Sequence, residues 1–335
     1  MRHKKKILAG VLVVSLAGTA GCGMFTPTSS PIDEPPPGAN QAADKKTDTV
    51  SATLYFADEN GFVVPLRVSI PKAEGPAAQA LTFLTPEKSK EFLKGTGLHS
   101  VIPEGTKMTV NIDKDGLATV DFGKEVLGLK VPKAEQQLVD AVVWTLTEFP
   151  NVKKVQIKVN GNIQAAMPTS GTPIGQPLTR ANGINLQVAP NINPAETTKV
   201  TLYYEGTNKA GNFSYLVPVT RMIGKTSEDL VKTTIAQLVS GPMTPGLKPT
   251  IAASTKLLNV NTTGDTVTLD FENLLTEGAS TEQKKVFHSI VLSVLENSPA
   301  QKVKITVKGQ TPVTAPGLDL SKPMVRPETV NQKQL

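Results

Sequence analysis

The chain has 335 residues, 39% hydrophobic and 19% charged, so it can bury the cores of one or two domains and is too apolar to be disordered throughout. Its single cysteine excludes an intramolecular disulfide framework and a multi-cysteine metal site, and three histidines make a multi-histidine metal site very improbable. The formal charge is +6, but four positive charges and no acidic residue precede Cys22, which leaves +2 for the rest. A charge this small gives little drive for binding nucleic acid.

The N-terminus has the layout of a bacterial lipoprotein signal peptide. Basic residues at 2–6 precede an apolar stretch at 7–16, which is shorter than the roughly 20 residues of a membrane-spanning helix. Small residues at 20–21 and then Cys22 resemble a lipobox, although Thr19 stands where leucine is usual. We predict that residues 1–22 are a signal peptide and that Cys22 receives a diacylglycerol. The alternative is an ordinary signal peptide or an uncleaved anchor, with Cys22 incidental.

The composition changes directly after the cysteine. Residues 23–50 are rich in Pro, Ser, Thr, Asp and Ala and contain five prolines. Such a segment buries too little apolar surface to fold. A flexible coil of this length spans about 30 Å. We predict a disordered, proline-rich tether that holds the folded part away from the membrane.

The remainder of the chain is one unit written twice. Four segments recur in the same order with a shift of 148 or 149 residues: 53–55 as 201–203, 97–98 as 246–247, 119–122 as 268–271, and 155–161 as 303–309. A repeat of this length is a whole domain rather than a solenoid unit. We predict a first domain with its tail at 51–190 and a second domain with its tail at 198–335.

The first copy contains recognisable strands and helices. We predict, in chain order, strands at 53–56 and 62–70, a helix from Pro76 that stops at Pro86, a hairpin of 108–112 and 117–122, a helix between Pro132 and Pro150, and a strand at 154–159. Pro65 lies inside the second strand, which places that strand at a sheet edge or a bulge.

The second copy repeats this order. We predict a helix at 226–240, a hairpin of 259–261 and 267–271, a helix that Ser280 and Gln283 open as a capping box, and a last strand around 303–307. In both last strands apolar and polar residues alternate, which indicates a sheet covered on one face. We therefore predict an α+β fold: a tandem repeat of two similar domains, each a mixed or antiparallel sheet with two helices packed on one face.

The repeat continues beyond the last strand of each copy. Pro177-Leu178-Thr179-Arg180 followed by Ile184-Asn185 recurs as Pro323-Met324-Val325-Arg326 followed by Val330-Asn331. Two interpretations stay open for these tails. Each is either an ordered extension that packs on its own domain or an arm that docks on the other domain or on a partner.

No catalytic, cofactor or metal-binding motif is recognisable in the sequence. Asp121 and Asp270 are carboxylates at matching positions, but they lie in different domains and on the outward face, which disfavours acid–base chemistry. Residues 113–116 resemble the start of a calcium loop, yet the later ligands are absent and a hairpin turn explains them. His99 and His288 lack partners at matching positions, so we predict structural roles for both.

Trp144 falls outside the main apolar stripe of its helix. We align it with Ser293 of the second copy. It is either a flank of the core or an exposed contact residue at an interface.

The chain resembles the GerM family of sporulation and germination lipoproteins, and the repeated unit resembles the GerMN domain. The residues that carry the resemblance are 97–98, 102–107 and 115–122 in the first copy, 246–247, 255–257 and 268–271 in the second, and the two tails. The resemblance covers roughly residues 51 to 331. Residues 252–254 depart from it, since they read Ala-Ala-Ser where the first copy has Pro-Glu-Gly.

The resemblance implies a fold similar to the ring-building modules of membrane-channel complexes and a protein that is not an enzyme. It further implies an assembly and localisation factor for the sporulation channel between mother cell and forespore, with an effect on germination. The expected partners are protein components of that channel and the membrane, reached through the lipid on Cys22. The expected location is the extracytoplasmic face of the mother-cell membrane, towards the intermembrane space. No cofactor, metal or nucleic acid is expected.

Two other functions remain open. One is a ligand-binding lipoprotein for cell-wall fragments or a small solute, with its site in a cleft between the copies. The other is a cell-wall hydrolase, which would need carboxylates such as Asp121 facing each other across a groove.

Overall fold

The computed structural model describes residues 48–193, 195–274, 280–312 and 317–332. The signal peptide, Cys22 and all but the last three residues of the tether lie outside these ranges. The side chain of Ser280, for which we predicted a capping box, also falls outside the described part.

The first copy begins with a long hairpin and ends with a strand parallel to its neighbour. Its elements are β1 (Thr49–Asp58), β2 (Val63–Pro71), α1 (Pro76–Thr82), α2 (Pro86–Leu93), β3 (Leu98–His99), β4 (Met108–Ile112), β5 (Leu117–Phe122), α3 (Pro132–Leu146) and β6 (Lys154–Val159). A 3₁₀ turn at Lys124–Gly128 precedes α3.

The second copy follows the same plan. A 3₁₀ turn at Arg180–Asn182 leads to it. Its elements are β7 (Gln187–Val188) in the first tail, then β8 (Thr197–Thr207), β9 (Ser214–Gly224), α4 (Leu230–Val239), β10 (Leu247–Lys248), β11 (Lys256–Thr263), β12 (Thr266–Asn273), α5 (Ser280–Glu296) and β13 (Lys302–Val307).

Each copy contains two small sheets where the sequence predicted one. In the first copy the sheets have the orders β2-β1-β3 and β4-β5-β6, and in the second β10-β8-β9-β7 and β11-β12-β13. The first sheet of copy one is antiparallel, and the other joins an antiparallel hairpin to a parallel last strand. The predicted α+β tandem repeat is confirmed, and the division into two sheets is a correction to it.

Two prolines show how the sequence sets the elements. Pro65 pairs with Tyr55 in an uninterrupted register, so β2 is an edge strand of its sheet without a bulge. Pro86 does not only stop α1, as predicted, but is also the first residue of α2, where its missing N–H costs nothing. The first copy therefore has a third helix, α2, which the sequence analysis missed.

The helices bury the apolar stripes that the sequence predicted. On α3 these are Leu138 and Val142, and on α5 they are Phe287, Ile290 and Val291. Helix α3 packs on β1 and α5 packs on β8. Most buried apolar side chains of the two copies belong to one continuous core cluster, so the repeats share a hydrophobic interior.

The polar face of the last strand of the first copy is partly covered, although Lys154 is exposed as predicted. Gln156 was expected to face solvent, but it is only 6% exposed. Its Nε2 donates to the carbonyl oxygens of Ile157 and Ile174, both at 3.1 Å. Ile174 belongs to the segment after β6, which folds back over the strand and covers part of the polar face.

Candidate functional site at the junction of the repeats

A cluster of six polar side chains lies where the two copies meet. Each copy contributes a tyrosine from its first strand, a glutamate from the C-terminal end of its long helix and an arginine from its tail. These residues are Tyr55, Glu148 and Arg180 from the first copy, and Tyr203, Glu296 and Arg326 from the second. We call this set the junction cluster. Its members occupy equivalent positions, so the cluster has approximate twofold symmetry.

The arginines cross-link the two copies through the glutamates. Arg180 Nη2 lies 2.5 Å from Glu148 Oε1 in its own copy, and Arg180 Nη1 lies 2.7 Å from Glu296 Oε1 in the other. Arg326 Nη1 lies 2.7 Å from Glu296 Oε1, and its Nη2 lies 3.6 Å from Glu148 Oε1. Each arginine therefore contacts both carboxylates. Two positive and two negative charges compensate each other at the junction.

Burial and charge together fix the protonation states in the cluster. Burial alone would raise the pKa of Glu148, but Arg180 and Arg326 outweigh it and hold the pKa below its usual range. Burial, and then the neighbouring glutamates, raise the pKa of Tyr55 and of Tyr203. The tyrosines are therefore neutral donors. The hydroxyl of Tyr55 donates to Glu148 at 2.9 Å and that of Tyr203 to Glu296 at 3.3 Å.

Trp144 holds the first arginine in place. The guanidinium carbon of Arg180 lies 4.4 Å from the centre of the Trp144 ring, and Arg180 Nε donates to Thr147 Oγ1 at 3.0 Å. Trp144 is 1% exposed, and its indole N–H donates to the carbonyl of Gly183 in the first tail at 3.2 Å. Trp144 is thus a buried residue of the core flank that also supports the junction.

The structure shows that the predicted alignment of Trp144 with Ser293 is wrong. The N–H of Tyr55 donates to Thr145 Oγ1, and the N–H of Tyr203 donates to Ser293 Oγ, both at 3.0 Å. Thr145 and Ser293 are therefore equivalent, and the counterpart of Trp144 is Leu292. Leu292 packs with Tyr203 in a small buried cluster.

The tails pack first on their own domains and then bridge to the other. Leu178 pairs with Val155, and Met324 pairs with Val303, each within one copy. Farther along, β7 of the first tail pairs in parallel with β9 of the second copy, and Gln332 of the second tail bridges Arg67 on β2. Both interpretations of the tails were therefore right, each for a different half.

Asn185 and Asn331 form the bridges themselves. Asn185 exchanges hydrogen bonds with the N–H and C=O of Val63, both at 2.8 Å, and its Nδ2 also donates to Pro218 O at 2.8 Å. Asn331 exchanges bonds with the N–H and C=O of Leu216 at 2.7 and 2.8 Å, and its Nδ2 donates to Pro65 O at 2.7 Å. Each asparagine thus joins β2 of the first copy to β9 of the second.

A third contact breaks the symmetry of the junction. The hydroxyl of Tyr215 on β9 donates to Asp58 Oδ2 at 2.8 Å, and Asp58 is 1% exposed. Burial raises the pKa of Asp58 despite its hydrogen bonds to the N–H groups of Phe62 and Asn60. Gly206 stands at the position of Asp58 in the second copy, where a Cβ would lie 2.7 Å from the Tyr215 ring. The second copy cannot carry the same aspartate.

The two carboxylates singled out in the sequence hold turns. Asp121 Oδ1 accepts from the N–H of Gly161, and Asp270 Oδ1 accepts from the N–H of Gly309, both at 2.8 Å. Asp270 also accepts from Thr306 Oγ1 at 2.7 Å. Each aspartate fastens the turn after the last strand of its own domain, and the structure does not bring the two together.

The other candidates also have structural surroundings. Asp113 Oδ1 accepts from the N–H groups of Asp115 and Leu117, both at 2.9 Å, which confirms the hairpin turn. Burial and then Lys284 lower the pKa of His288 to about 4, so this histidine is neutral. His99 lies in β3 rather than in a loop, and burial lowers its pKa.

Within the described ranges, no three His, Cys, Asp or Glu side chains converge on a position that would hold a metal ion. None of the helices placed there is long and apolar enough to cross a membrane. Cys22 lies outside these ranges, so its lipidation stays a prediction.

Only part of this site could be predicted from the sequence. The repeated tails pointed to the arginines and asparagines, whereas Glu148 and Glu296 were not predicted. The signal was present, because these two glutamates are separated by the same 148 residues as Tyr55 and Tyr203.

The fold is shared with known proteins. The family model Germane, described as "Sporulation and spore germination", matches residues 53–164 and again 201–313. The chain is 32% identical to the spore germination protein GerM of Bacillus subtilis (strain 168), with 97% of each chain covered. It is similar to the solved structure of the tandem GerMN domains of the sporulation protein GerM from Bacillus subtilis, with a TM-score of 0.75, 33% identity, and coverage of 86% of this chain and 100% of that one. The chain therefore belongs to the Germane family of sporulation and spore germination proteins.

Proposed function

We propose that the chain is a membrane-anchored extracytoplasmic lipoprotein that acts, without catalysis, as an assembly and localisation factor for the sporulation channel complex between mother cell and forespore. A further effect on germination is part of the proposal. Family membership supports the sporulation and germination role. The observation that supports an assembly role is the junction, where buried ion pairs and hydrogen bonds join the two repeats.

Rigidity matters for an assembly factor because it fixes the relative position of two binding surfaces. The buried ion pairs of the junction cluster fix the orientation at the centre, and Asn185 and Asn331 fix it at the edge strands. Two weak contacts on one rigid body reinforce each other through effective concentration. A free pair of domains on a flexible linker would lose much of that gain.

The chemistry of the described residues supports a role without catalysis. The glutamates at the junction are neutralised by arginines, and Asp121 and Asp270 are used to hold turns. A general acid or base needs a carboxyl group that is free to reach a substrate. The carboxylates that the repeat brings to matching positions are instead bound to protein groups.

The lipid on Cys22 and the tether at 23–50 complete the proposal. The lipid would hold the chain at the mother-cell membrane, and the tether would place the two domains in the intermembrane space. The wall-fragment or solute-binding alternative gains no support from the junction, which is packed with the chain's own side chains.

Crosslinking and affinity purification test this function. The tagged chain is recovered from sporulating and from vegetative cells, beside a Cys22→Ala variant and an Asp121→Asn variant. We expect channel components to copurify only from sporulating cells, to be lost with Cys22→Ala and to be retained with Asp121→Asn. The same partners in vegetative cells, or full recovery with Cys22→Ala, would contradict the proposal.

A further inference from the structure

The second copy has a groove between α4 and β11 that no part of the described chain fills. Its volume is about 610 Å³. One wall is formed by Ile235, Ala236 and Val239 of α4, and the other by Leu257 and Leu258 of β11. The groove therefore has an apolar strip on each wall, flanked by polar residues, and is open to solvent.

Leu258 is an inserted residue that the first copy lacks. In the second copy Leu257 pairs with Phe271 and Asn259 pairs with Asp270, so Leu258 is left over as a bulge. In the first copy the corresponding strand β4 pairs with β5 without a register shift. A bulge turns an extra side chain to a face where regular alternation would not put it. Leu258 is thus turned into the groove, and it is 54% exposed.

A threonine on the groove wall has lost its hydrogen bond. In the first copy the hydroxyl of Thr106 donates to the carbonyl of Pro103 at 2.7 Å. Thr255 occupies the same turn in the second copy, and its N–H donates to Ala252 O at 3.0 Å. The hydroxyl of Thr255 nevertheless has no partner, although the residue is only 5% exposed. An unpaired buried hydroxyl is costly, so this turn is less well satisfied in the second copy than in the first.

Strand β11 is also an open edge. It is the first strand in the order β11-β12-β13, and none of the described residues pairs with its outer side. An edge strand presents N–H and C=O groups that an added strand can pair with. The groove is lined by five consecutive residues at the start of this strand, 255–259, so an extended segment in the groove would also lie beside the strand edge.

The charges beside the groove favour a partner that carries acidic residues. Lys232 and Lys256 are exposed on its two walls, and Glu228 is the acidic residue that lines it. Lys256 is paired with Glu272 at 3.3 Å, but both side chains are exposed, so this pair is weak and easily exchanged. A partner that carries carboxylates would gain from both lysines.

We propose that the α4–β11 groove binds an extended peptide segment of a partner protein. The segment adds to β11 as a further strand, places an apolar side chain beside Leu258 and carries acidic residues beside Lys232 and Lys256. The proposal gives the class of partner for the assembly role above and takes its biological meaning from that role.

The test does not require sporulating cells, so it can fail independently of the proposed function. The full chain is immobilised and a phage-displayed library of random linear peptides is selected on it. We expect the selected peptides to alternate apolar residues and to contain Asp or Glu. A selected peptide is then synthesised, and its affinity is measured for wild type, Leu258→Asp, Lys232→Glu and the matched control Thr109→Asp on β4.

Leu258→Asp should weaken binding by roughly tenfold or more, as expected for loss of a central apolar contact. Lys232→Glu should weaken it less, and Thr109→Asp should leave it unchanged. Hydrogen exchange should show slower exchange of outward-facing β11 amides when the peptide is bound. The proposal is overturned if no peptide is enriched, if affinity is the same for wild type and Leu258→Asp, or if the bound peptide protects amides elsewhere and not in β11.

Discussion

Asn185 and Asn331 stand at equivalent positions in the two tails, and each hydrogen-bonds both edge strands at the junction. Asn185 binds Val63 and Pro218, whereas Asn331 binds Leu216 and Pro65. Neither tail therefore belongs to one domain alone. The junction is closed by two reciprocal contacts, and loss of either one weakens the association of both domains.

Asn331→Ala should destabilise the protein. The substitution leaves the N–H and C=O of Leu216 and the C=O of Pro65 without partners in a buried place. Unsatisfied buried groups cost about 1–3 kcal/mol each, so we expect a loss of about 2–4 kcal/mol in the free energy of unfolding after partial relaxation. Urea unfolding measures it. Asn111→Ala, at an exposed position on β4, is the control and should change it by less than about 0.5 kcal/mol.

Glu296→Gln should strongly lower the free energy of unfolding. Glu296 accepts from Arg180 and Arg326, and its side chain is 8% exposed. Removing one partner of a buried ion pair leaves an uncompensated charge and costs about 3–5 kcal/mol. Glu272→Gln, in the exposed pair with Lys256, should cost less than about 1 kcal/mol. Equal losses in the two variants, measured by urea unfolding, would show that the junction cluster does not hold the repeats together.

Asp140 should make the stability depend on pH. Burial raises its pKa to about 7, although the N–H of Asn185 and the charge of Lys133 act the other way. The ordinary pKa is about 3.9, so the folded state holds the proton more tightly than the unfolded state does. Its contribution is therefore complete below about pH 4 and is lost as the pH rises through 7.

The measurement compares the free energy of unfolding of the wild type with that of Asp140→Asn between about pH 5.5 and about pH 8. A difference of one pKa unit between the folded and unfolded states corresponds to about 1.4 kcal/mol. The comparison is needed because His288, with its lowered pKa, contributes in the opposite direction as the pH falls. We expect the variant to gain stability over the wild type as the pH rises. A constant difference would mean that Asp140 does not titrate in this range.

Asp121→Asn should weaken the turn that follows β6, and it should not change the outcome of incubation with peptidoglycan. The variant weakens the bond to Gly161 and should lower the free energy of unfolding by about 1 kcal/mol. Incubation with purified peptidoglycan should give the same result for the wild type and the variant. Hydrolysis by the wild type that disappears in the variant would restore the hydrolase hypothesis.

The architecture could be predicted because the domain is duplicated, so the sequence pattern of each hairpin, helix and tail occurs twice. The hairpins, the long helices and the tails were each supported by two copies, and the turn at Asp113 was assigned from Gly116 and its neighbours. Helix α2 was missed because Pro86 both ends one helix and begins the next. The alignment of Trp144 was wrong by one residue because the offset between the copies changes from 149 residues at 119–122 to 148 residues at 155–161, and α3 lies between these segments.

The junction could be predicted only in part. The repeated arginines and asparagines indicated an important tail, but their partners lie far away in the chain, as in the bond between Asn331 and Pro65. A sequence without coordinates does not place such groups together. The Leu258 insertion was hidden for another reason. The turn of the second hairpin is shorter than that of the first, which compensates for the inserted residue. The offset between the copies is therefore 149 residues both before the insertion and after the turn.

Rigidity across the junction is tested most directly by a distance measurement between the repeats. Spin labels at Lys114→Cys and Thr262→Cys, in a Cys22→Ala background, report from the hairpin of each repeat. Pulsed electron paramagnetic resonance should give one narrow distance distribution that broadens when Asn185→Ala and Asn331→Ala are added. A broad distribution before those changes, or one that they leave as narrow as before, would show that the two domains are not held as a single body.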